Sequence, residues 1–362
     1  MKVQRLLFIL FISAAFLNAC STGNSSGDVT VLFQPKYAEG FRVVKIANDT
    51  VIQFLTHSHS DSATVSHSVS LSKINPERIA LLSTTHSYFI KALNGMNNVC
   101  GVTYADRIQL QKLQEQISNG TTQNLTRNGD VNLEDLLMLN PTVLFSVPFE
   151  PTDYRSKLPG CVVIPTSEYL EEHPLGKAEW LYVFGYVLRK NVLARELFLE
   201  IENQYIVASQ GPSVGPSVDL PSGPSARPKV FFATNNGSDW TVANDQSYWA
   251  ILLRDAGAEY VGATDGNGNL NFDKERMLFA LNEADAYGEL VYFPNTSNVS
   301  LSKLHPEFIQ TVPFQHKKIF LCNAADNGFF DKALLEPHVL LQELKKVLSH
   351  STFSGYYFQR TQ

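Results

Sequence analysis

Short apolar runs alternate with helical stretches in two separate blocks of this chain, and this repetition constrains the fold most. Alternating strands and helices are typical of a parallel sheet, because each return to a parallel strand needs a crossover connection. In the first block the strand-like runs are RIALLS (78–83), VCGVTY (99–104), TVLFSVP (142–148) and CVVIPT (161–166). In the second block they are KVFFAT (229–234), LVYFP (290–294) and KIFLC (318–322). The sequence therefore predicts two α/β lobes.

Helical patterns lie between these runs. In the first block they are HSYFIKALNG (86–95) and VNLEDLLMLN (131–140), and in the second they are Ser247–Asp255, Glu275–Asn282 and LLQELKKVLSH (340–350). Gly95, Pro141 and Gly257 stand at or just after three of these helices, where such residues usually end a helix.

A long helical region separates the two blocks. Apolar residues recur at three- and four-residue spacing from Ala178 to Leu188 and again from Leu193 to Tyr205, which is the spacing of one helix face. A helix of about twenty residues would span about 30 Å, enough to join two lobes. The stretch 211–228 is dense in Gly, Pro and Ser and predicts a loop.

Three more strand-like runs, VTVLF (29–33), FRVVKI (41–46) and TVIQFL (50–55), precede the first block. We therefore predict an α/β fold in which two Rossmann-like lobes are joined by a single long α-helix, with extra N-terminal β-strands. The predicted divisions are a signal peptide at 1–19, a lipidated tether at 20–28, a first lobe with its N-terminal strands at 29–170, an inter-lobe helical region at 171–210, a Gly/Pro/Ser-rich loop at 211–228 and a second lobe at 229–362.

The first twenty residues have the pattern of an export signal. Lys2 and Arg5 come before the apolar run Leu6–Phe16, and small residues follow it. Cys20 stands directly after Leu-Asn-Ala and resembles the cysteine of the bacterial lipobox, whose thiol is lipidated. We expect an exported protein that is anchored to a membrane through Cys20 and faces the periplasm, with the inner and the outer membrane both open.

Charge and cysteine content bear on other classes of protein. The formal net charge is −6, and no basic patch suggests nucleic acid as a partner. Besides Cys20, the chain has Cys100, Cys161 and Cys322, an odd number without metal-ligand spacing. We favour free thiols, although export permits a disulfide, and we expect a monomer.

One local motif suggests an enzyme. THSHSD (56–61) follows a strand-like run and resembles the opening of metallo-β-lactamase-type zinc hydrolases, which would make His57, His59 and Asp61 the metal ligands. Ser62 stands where that motif has its last histidine. A solvated polar segment accounts better for these residues, and the zinc-dependent hydrolase stays as the alternative.

Five segments in order resemble the periplasmic binding proteins for iron-siderophores, haem and cobalamin, which are the substrate-binding components of ABC importers. They are PERIALLSTTHSYFIKALNGMNNVCGVTYAD (76–106), DVNLEDLLMLNPTVLFS (130–146), YLEEHPLGKAEWLYVFGYVLRKNVLARELFLEIENQY (169–205), DWTVANDQSYWAILLRDAGAEYVG (239–262) and FFDKALLEPHVLLQELKKVLSH (329–350). The resemblance implies a lipid-anchored binding protein, not an enzyme, that needs no cofactor of its own and delivers a metal chelate to ABC permease subunits.

The resemblance also implies site residues. Members of the family dock onto the permease through one acidic residue on each lobe, and the matching segments assign this role to Glu134 and Glu275. The chelate should lie between the lobes, where aromatic walls suit a ring-rich ligand. The wall residues implied are Thr84, Thr85, His86, Tyr88, Trp240, Phe329 and Phe330.

The ligand itself stays open among an iron-siderophore, haem and cobalamin, and His86 is conceivable as a haem-iron ligand. Lys177 stands where many relatives have arginine. A protein of the same fold that handles haem without being coupled to import is a further alternative.

Overall fold

An antiparallel sheet of four strands begins the part of the chain that the computed structural model describes, which comprises residues 29–57, 63–148, 152–211, 227–262, 268–294 and 299–361. Its strands, in spatial order, are β1 (Val29–Phe33), β2 (Phe41–Ile46), β3 (Asp49–His57) and β4 (Ala63–Ser70).

Strand β4 (Ala63–Ser70) is an element that the sequence pattern does not predict. Its residues are mostly exposed, and it pairs with β3 from Val51↔Ser70 onwards. Backbone hydrogen bonds rather than apolar burial hold this edge strand, which is why its sequence carries no strong strand pattern.

The first lobe is built on a parallel sheet in the order β11-β10-β5-β6-β7. Its elements are β5 (Ile79–Leu81), α1 (Thr85–Ala92), β6 (Val99–Val102), α2 (Gln111–Ser118), β7 (Gln123–Asn124), β8 (Thr126–Arg127), β9 (Asp130–Val131), α3 (Leu133–Leu139), β10 (Val143–Ser146), α4 (Tyr154–Lys157) and β11 (Val162–Pro165). Strand β4 contacts β11, so the N-terminal sheet lies against this lobe.

Three helices follow the first lobe, namely α5 (Pro174–Glu179), α6 (Leu181–Val187) and α7 (Asn191–Gln210). Helix α7 has 20 residues, as the sequence pattern predicts. The Lys345 ammonium, on the last helix of the chain, donates to the carbonyl oxygens of Ala208 (2.6 Å) and Ser209 (3.2 Å). A cation at this position satisfies carbonyl groups that a helix end leaves without partners, and it interacts favourably with the helix dipole.

The second lobe has a sheet in the order β15-β13-β12-β16-β17-β18, with β14 also paired to β12. Its elements are β12 (Lys229–Asn235), β13 (Trp240–Val242), α8 (Tyr248–Asp255), β14 (Glu259–Tyr260), β15 (Leu270–Phe272), α9 (Lys274–Asn282), β16 (Ala286–Val291), α10 (Leu301–Leu304), α11 (Val312–Gln315), β17 (Ile319–Asn323), α12 (Pro337–Ser349) and β18 (Gln359–Arg360). The central strands β12, β16 and β17 are parallel.

Strand β16 lies earlier than the run LVYFP predicts, because it includes Gly288 and the carboxylate Glu289. Glu289 is fully buried, and a polar residue in a buried strand hides the strand from an apolar pattern. A side chain at Gly288 would collide with the rings of Phe232 and Phe320 on the two neighbouring strands. Glycine is therefore required where these strands bring two rings together.

The predicted fold class is confirmed: two α/β lobes are joined through the long helix α7 and preceded by extra β-strands. One apolar core runs through the N-terminal sheet, α6, α7 and both lobes, and it includes Phe41, Phe184, Phe198, Phe320 and Leu341. A shared core of this kind resists large movements of one lobe against the other.

Candidate functional site

Segments that follow parallel strands of both lobes meet in space. Gln109, after β6 of the first lobe, donates from Nε2 to the Ala325 carbonyl oxygen, after β17 of the second lobe (3.2 Å). Thr84, after β5, lies close enough to the buried Asp331 carboxylate of the second lobe to lower its pKa. The carboxyl ends of parallel strands are where open α/β sheets bind ligands. This junction between the lobes is the candidate ligand site.

A buried polar network supports the first-lobe side of the junction. Thr85 donates from Oγ1 to Glu168 Oε1 (2.7 Å). His86 Nε2 lies 2.6 Å from Thr166 Oγ1, which donates its own proton to the Ser146 carbonyl oxygen and therefore accepts from the imidazole. These side chains connect the start of α1 to the carboxyl ends of β10 and β11.

His86 is fully buried, with its ring centroid 5.9 Å from that of Phe145 and 5.8 Å from that of Phe184. Burial lowers the pKa of its imidazole, which favours the neutral ring. In this arrangement His86 presents no surface to a ligand, and its contacts position α1 instead. Thr84, Thr85 and Tyr88 are partly exposed, and burial raises the pKa of Tyr88 to about 12.

Trp240 is only 3 % exposed and belongs to the second-lobe core. Its ring centroid lies 5.3 Å from those of His305 and Phe308. Trp240 begins β13 and pairs with Asn235 at the carboxyl end of β12, but the core covers its ring. The structure therefore gives Trp240 a packing role and little surface for a ligand.

The two predicted phenylalanines differ in accessibility. Phe329 is buried and stacks on Trp249, with centroids 5.4 Å apart and an interplanar angle of 7°. Phe330 is 46 % exposed and touches Phe329 edge-on. The Phe330 ring can contact a ligand directly, whereas the buried Phe329 supports the Phe330 ring.

Two exposed tyrosines near strand ends were missed by the sequence interpretation. Tyr169 follows β11 in the first lobe, and Tyr292 follows β16 in the second. The run LVYFP predicts a strand that continues through Tyr292, whereas β16 ends at Val291. Rings at these positions add aromatic surface beside the carboxyl ends of both sheets.

A cavity of about 770 Å³ lies where the N-terminal sheet, the first lobe and the start of α8 meet. Its walls include Tyr37 and Phe54 from the N-terminal sheet region, Glu172 and His173 after β11, and Ile251 of α8. None of the seven wall residues expected from the resemblance lines it. Its size is within the range of small-molecule sites.

Two buried glutamates hold the segment that forms one wall of this cavity. Glu179 accepts hydrogen bonds from the backbone N–H groups of Lys36 (2.8 Å), Tyr37 (2.7 Å) and Ala38 (2.8 Å). Glu171 accepts from the backbone of Glu39 and Gly40 at 2.9 and 3.0 Å. Burial raises the pKa of both carboxyls, and these hydrogen bonds oppose the rise.

Lys177, the departure noted from the sequence, supports the turn after β11. Its ammonium donates to the carbonyl oxygens of Tyr169 (2.5 Å) and Glu168 (3.3 Å) and lies 5.2 Å from the centroid of the Tyr248 ring in the second lobe. Burial lowers the pKa of Lys177 to about 8. The residue therefore connects the lobes from a buried position.

Glu134 and Glu275 occupy matching places outside the junction. Each is exposed and is the second residue of its helix, α3 or α9. Asn132 caps α3 by accepting from the Asp135 backbone N–H, and Asp273 caps α9 by accepting from that of Arg276. Negative charge in a first helical turn is also favoured by the helix dipole.

Other expectations fall outside the described residues. They include Cys20 with the signal peptide, and His59 and Asp61 of the zinc motif. Within the described ranges, no His, Cys, Asp and Glu side chains form a group of three or more that could hold a metal ion. Cys100, Cys161 and Cys322 are free thiols. No helix in the same ranges has both the length and the apolar composition needed to cross a bilayer.

Comparisons with known proteins agree on the fold. The structure of a periplasmic haem-binding protein from Pseudomonas aeruginosa superposes with a TM-score of 0.58 and 16% sequence identity, covering 80% of this chain and 99% of that chain. A periplasmic haem-binding protein of Vibrio cholerae superposes with a TM-score of 0.55 and 17% sequence identity, covering 75% of this chain and 99% of that chain. A siderophore-binding protein solved with acinetobactin and ferric iron superposes with a TM-score of 0.57 and 17% sequence identity, covering 82% of this chain and 100% of that chain.

At the level of sequence, an uncharacterized lipoprotein of Methanocaldococcus jannaschii is 21% identical over 292 residues, which cover 77% of this chain and 66% of the relative. The chain thus spans just under two thirds of that relative's length. No protein-family model matches the chain. On the evidence of these superpositions, the chain has the two-lobed fold of the periplasmic haem- and siderophore-binding proteins.

Proposed function

We propose that this protein is a lipid-anchored binding protein that captures a metal chelate between its lobes and delivers it to the permease of an ABC importer. One observation carries the proposal: the chain shares its two-lobed fold with haem- and siderophore-binding proteins over nearly their full length. The anchor would be the lipid on Cys20, and the protein would face the periplasm.

The chemistry of the junction supports a ring-rich ligand. Thr84, Thr85, Tyr88 and Phe330 have accessible surface there and would make the contacts, while the buried His86, Trp240 and Phe329 would hold the walls in place. A planar or ring-rich chelate gains from stacking on aromatic side chains as well as from burial. Haem, a ferric siderophore and cobalamin all satisfy this requirement.

A binding titration tests ligand capture. Residues 28–362 would be titrated with haemin, a ferric siderophore and cobalamin while tryptophan fluorescence is followed, since Trp249 stacks on Phe329 beside Phe330. We expect a saturable change with one of them, and an affinity lowered about tenfold by Phe330→Ser, because a buried aromatic contact contributes about 1–3 kcal/mol.

Phe279→Ser serves as the matched control, since Phe279 is exposed on α9, one of the outer helices that carry the docking glutamates. Its affinity for the chelate should equal that of the unaltered protein. A flat response of the unaltered protein to all three ligands would remove this substrate class.

Delivery to the permease would use Glu134 and Glu275, one exposed carboxylate on each lobe. Such pairs set the register and rate of association with cationic groups on the partner. In cells that depend on this chain, the double variant Glu134→Arg/Glu275→Arg should lose uptake while chelate affinity stays unchanged. Retained uptake would favour a protein of the same fold that is not coupled to import.

A further inference from the structure

Two apolar side chains on the outer helices are far more exposed than their chemistry favours. Met138 on α3 and Phe279 on α9 are each 75 % exposed, the largest value among the exposed large apolar residues in the described ranges. One lies in each lobe. Contact with water gives these side chains no stabilising role in the folded monomer.

The two residues occupy the same place relative to the local structure. Met138 is six residues after the cap Asn132 and four after Glu134, and Phe279 is six after the cap Asp273 and four after Glu275. Side chains four apart lie on the same face of a helix. Each lobe therefore presents a carboxylate and an apolar group side by side.

The helices also have the same place in the two sheets. Helix α3 leads into β10, which pairs in parallel with β5, the first strand of its lobe. Helix α9 leads into β16, which pairs in parallel with β12, the first strand of the other lobe. The carboxylate–apolar pair is therefore displayed twice, at equivalent positions of two similar lobes.

The surroundings of each pair suit a protein partner. Around Phe279 and Glu275 lies a groove of about 520 Å³ whose walls include Phe272 and Val261. Leu137 is exposed beside Met138. Glu134 and Glu275 form no ion pair among the described residues, so each carboxylate is available to a cationic group.

We propose that Met138 and Phe279 are apolar anchors of the surface that docks onto the importer. The partner is a membrane protein with two like subunits, each of which offers a cationic side chain beside an apolar hollow. This inference rests on the proposed function and adds a second contact to each docking carboxylate. Truncating an apolar side chain that becomes buried at the centre of an interface typically weakens binding strongly. Truncating an exposed apolar side chain outside the interface does not.

The test uses the full chain in cells that depend on it, with uptake of radiolabelled haemin, ferric siderophore and cobalamin at limiting concentration. Met138→Ser/Phe279→Ser should lower the uptake of the transported chelate at least about fivefold, as expected for loss of two anchors. Chelate affinity and thermal stability should stay unchanged. Val192→Ser, which alters a residue 66 % exposed on α7, is the matched control and should leave uptake unchanged.

The outcomes separate this inference from the proposed function. Loss of uptake in Glu134→Arg/Glu275→Arg together with normal uptake in the serine variant would overturn the anchors and leave the function standing. Normal uptake in both variants would overturn the coupling to an importer, and the anchors with it. Sedimentation of the unaltered protein as a dimer that the serine variant dissolves would assign the patches to self-association, which also overturns the proposal.

Discussion

The two lobes are alike on their outer helices, whereas two buried carboxylate networks, one at α5 and one at β16, hold together different parts of the molecule. Outside, α3 and α9 share a cap, a glutamate and an exposed apolar residue at the same spacing. Inside, Glu171 and Glu179, in the turn before α5 and on α5, hold residues 36–40, whereas Glu289 on β16 joins elements of the second lobe. The docking surface proposed above uses the shared outer pattern, and the two buried networks have separate structural tasks.

On the first-lobe side, Glu179 and Glu171 together accept five backbone hydrogen bonds from residues 36–40. These hydrogen bonds fix the segment that directly precedes β2, and they thereby fix the position of the N-terminal sheet. The cavity of about 770 Å³ has part of its wall in this segment. The extra strands are therefore held against the helical region that follows the first lobe.

In the second lobe, Glu289 is the centre of a closed network. It accepts from Asn235 Nδ2 (2.7 Å), Tyr287 Oη (2.8 Å) and His305 Nε2 (2.9 Å). These partners come from β12, β16 and the end of α10. Because every partner lies inside the same lobe, this network contributes to the stability of the lobe as a whole.

The largest expected effect comes from breaking the second-lobe network. Glu289→Ala leaves the buried groups of His305 and Tyr287 without their acceptor and should lower the free energy of unfolding by about 3–5 kcal/mol. Urea denaturation measures the change. Glu283→Ala, at an exposed position on the same lobe, is the control and should change it by less than about 0.5 kcal/mol. Equal values for both variants would contradict the role of Glu289.

A smaller and more local effect is expected from the first-lobe contacts. Glu179→Ala removes the acceptor for three backbone N–H groups and should cost about 2–3 kcal/mol. Hydrogen exchange should accelerate at Lys36–Ala38, while the amides of β16 keep their protection. Glu196→Ala, an exposed position on α7, should change neither. Uniform acceleration through both lobes would show that the two regions do not differ as described.

The smallest effect concerns the contact between the lobes at Asp331. Burial raises the pKa of Asp331 from 3.8 to about 6, and the nearby Thr84 opposes this rise. The folded protein thus binds the proton more tightly than the unfolded chain does. Ionisation costs stability progressively as the pH rises through this window, and the whole cost, at most about 3 kcal/mol, is present at pH 7.

Asp331→Asn removes that cost and should raise the free energy of unfolding by about 1–2 kcal/mol at pH 7 but by only about 0.5 kcal/mol near pH 4, where the carboxyl is protonated in the folded state and about half ionised in the unfolded chain. Urea denaturation at the two pH values measures the difference. Asp106→Asn, at an exposed position, is the control. An equal gain at both pH values would contradict the assignment.

The alternation of strands and helices was sufficient to predict the two lobes and the connecting helix, because apolar strands such as β12 and β17 are continuous in sequence. The same pattern does not predict strands that contain polar residues. β4 is an edge strand with few apolar residues, and β16 contains the buried Glu289. Neither can be recognised from an apolar pattern.

The site was harder to predict because exposure depends on neighbours that are distant in sequence. The residues Thr84 to Tyr88 do lie where a strand ends and a helix begins. Phe145 and Phe184 cover His86, and His305 and Phe308 cover Trp240. Each of these covering residues is 59 or more positions away in the sequence from the residue that it covers. The cavity beside the N-terminal sheet likewise needs segments from three parts of the chain.

Hydrogen exchange with and without bound chelate tests the central claim most directly. If the chelate lies between the lobes, the haemin, ferric siderophore or cobalamin that binds should protect amides in both, around residues 84–88 of the first lobe and 325–331 of the second. Protection confined to one lobe, or none in either segment at saturating chelate, would contradict capture between the two lobes.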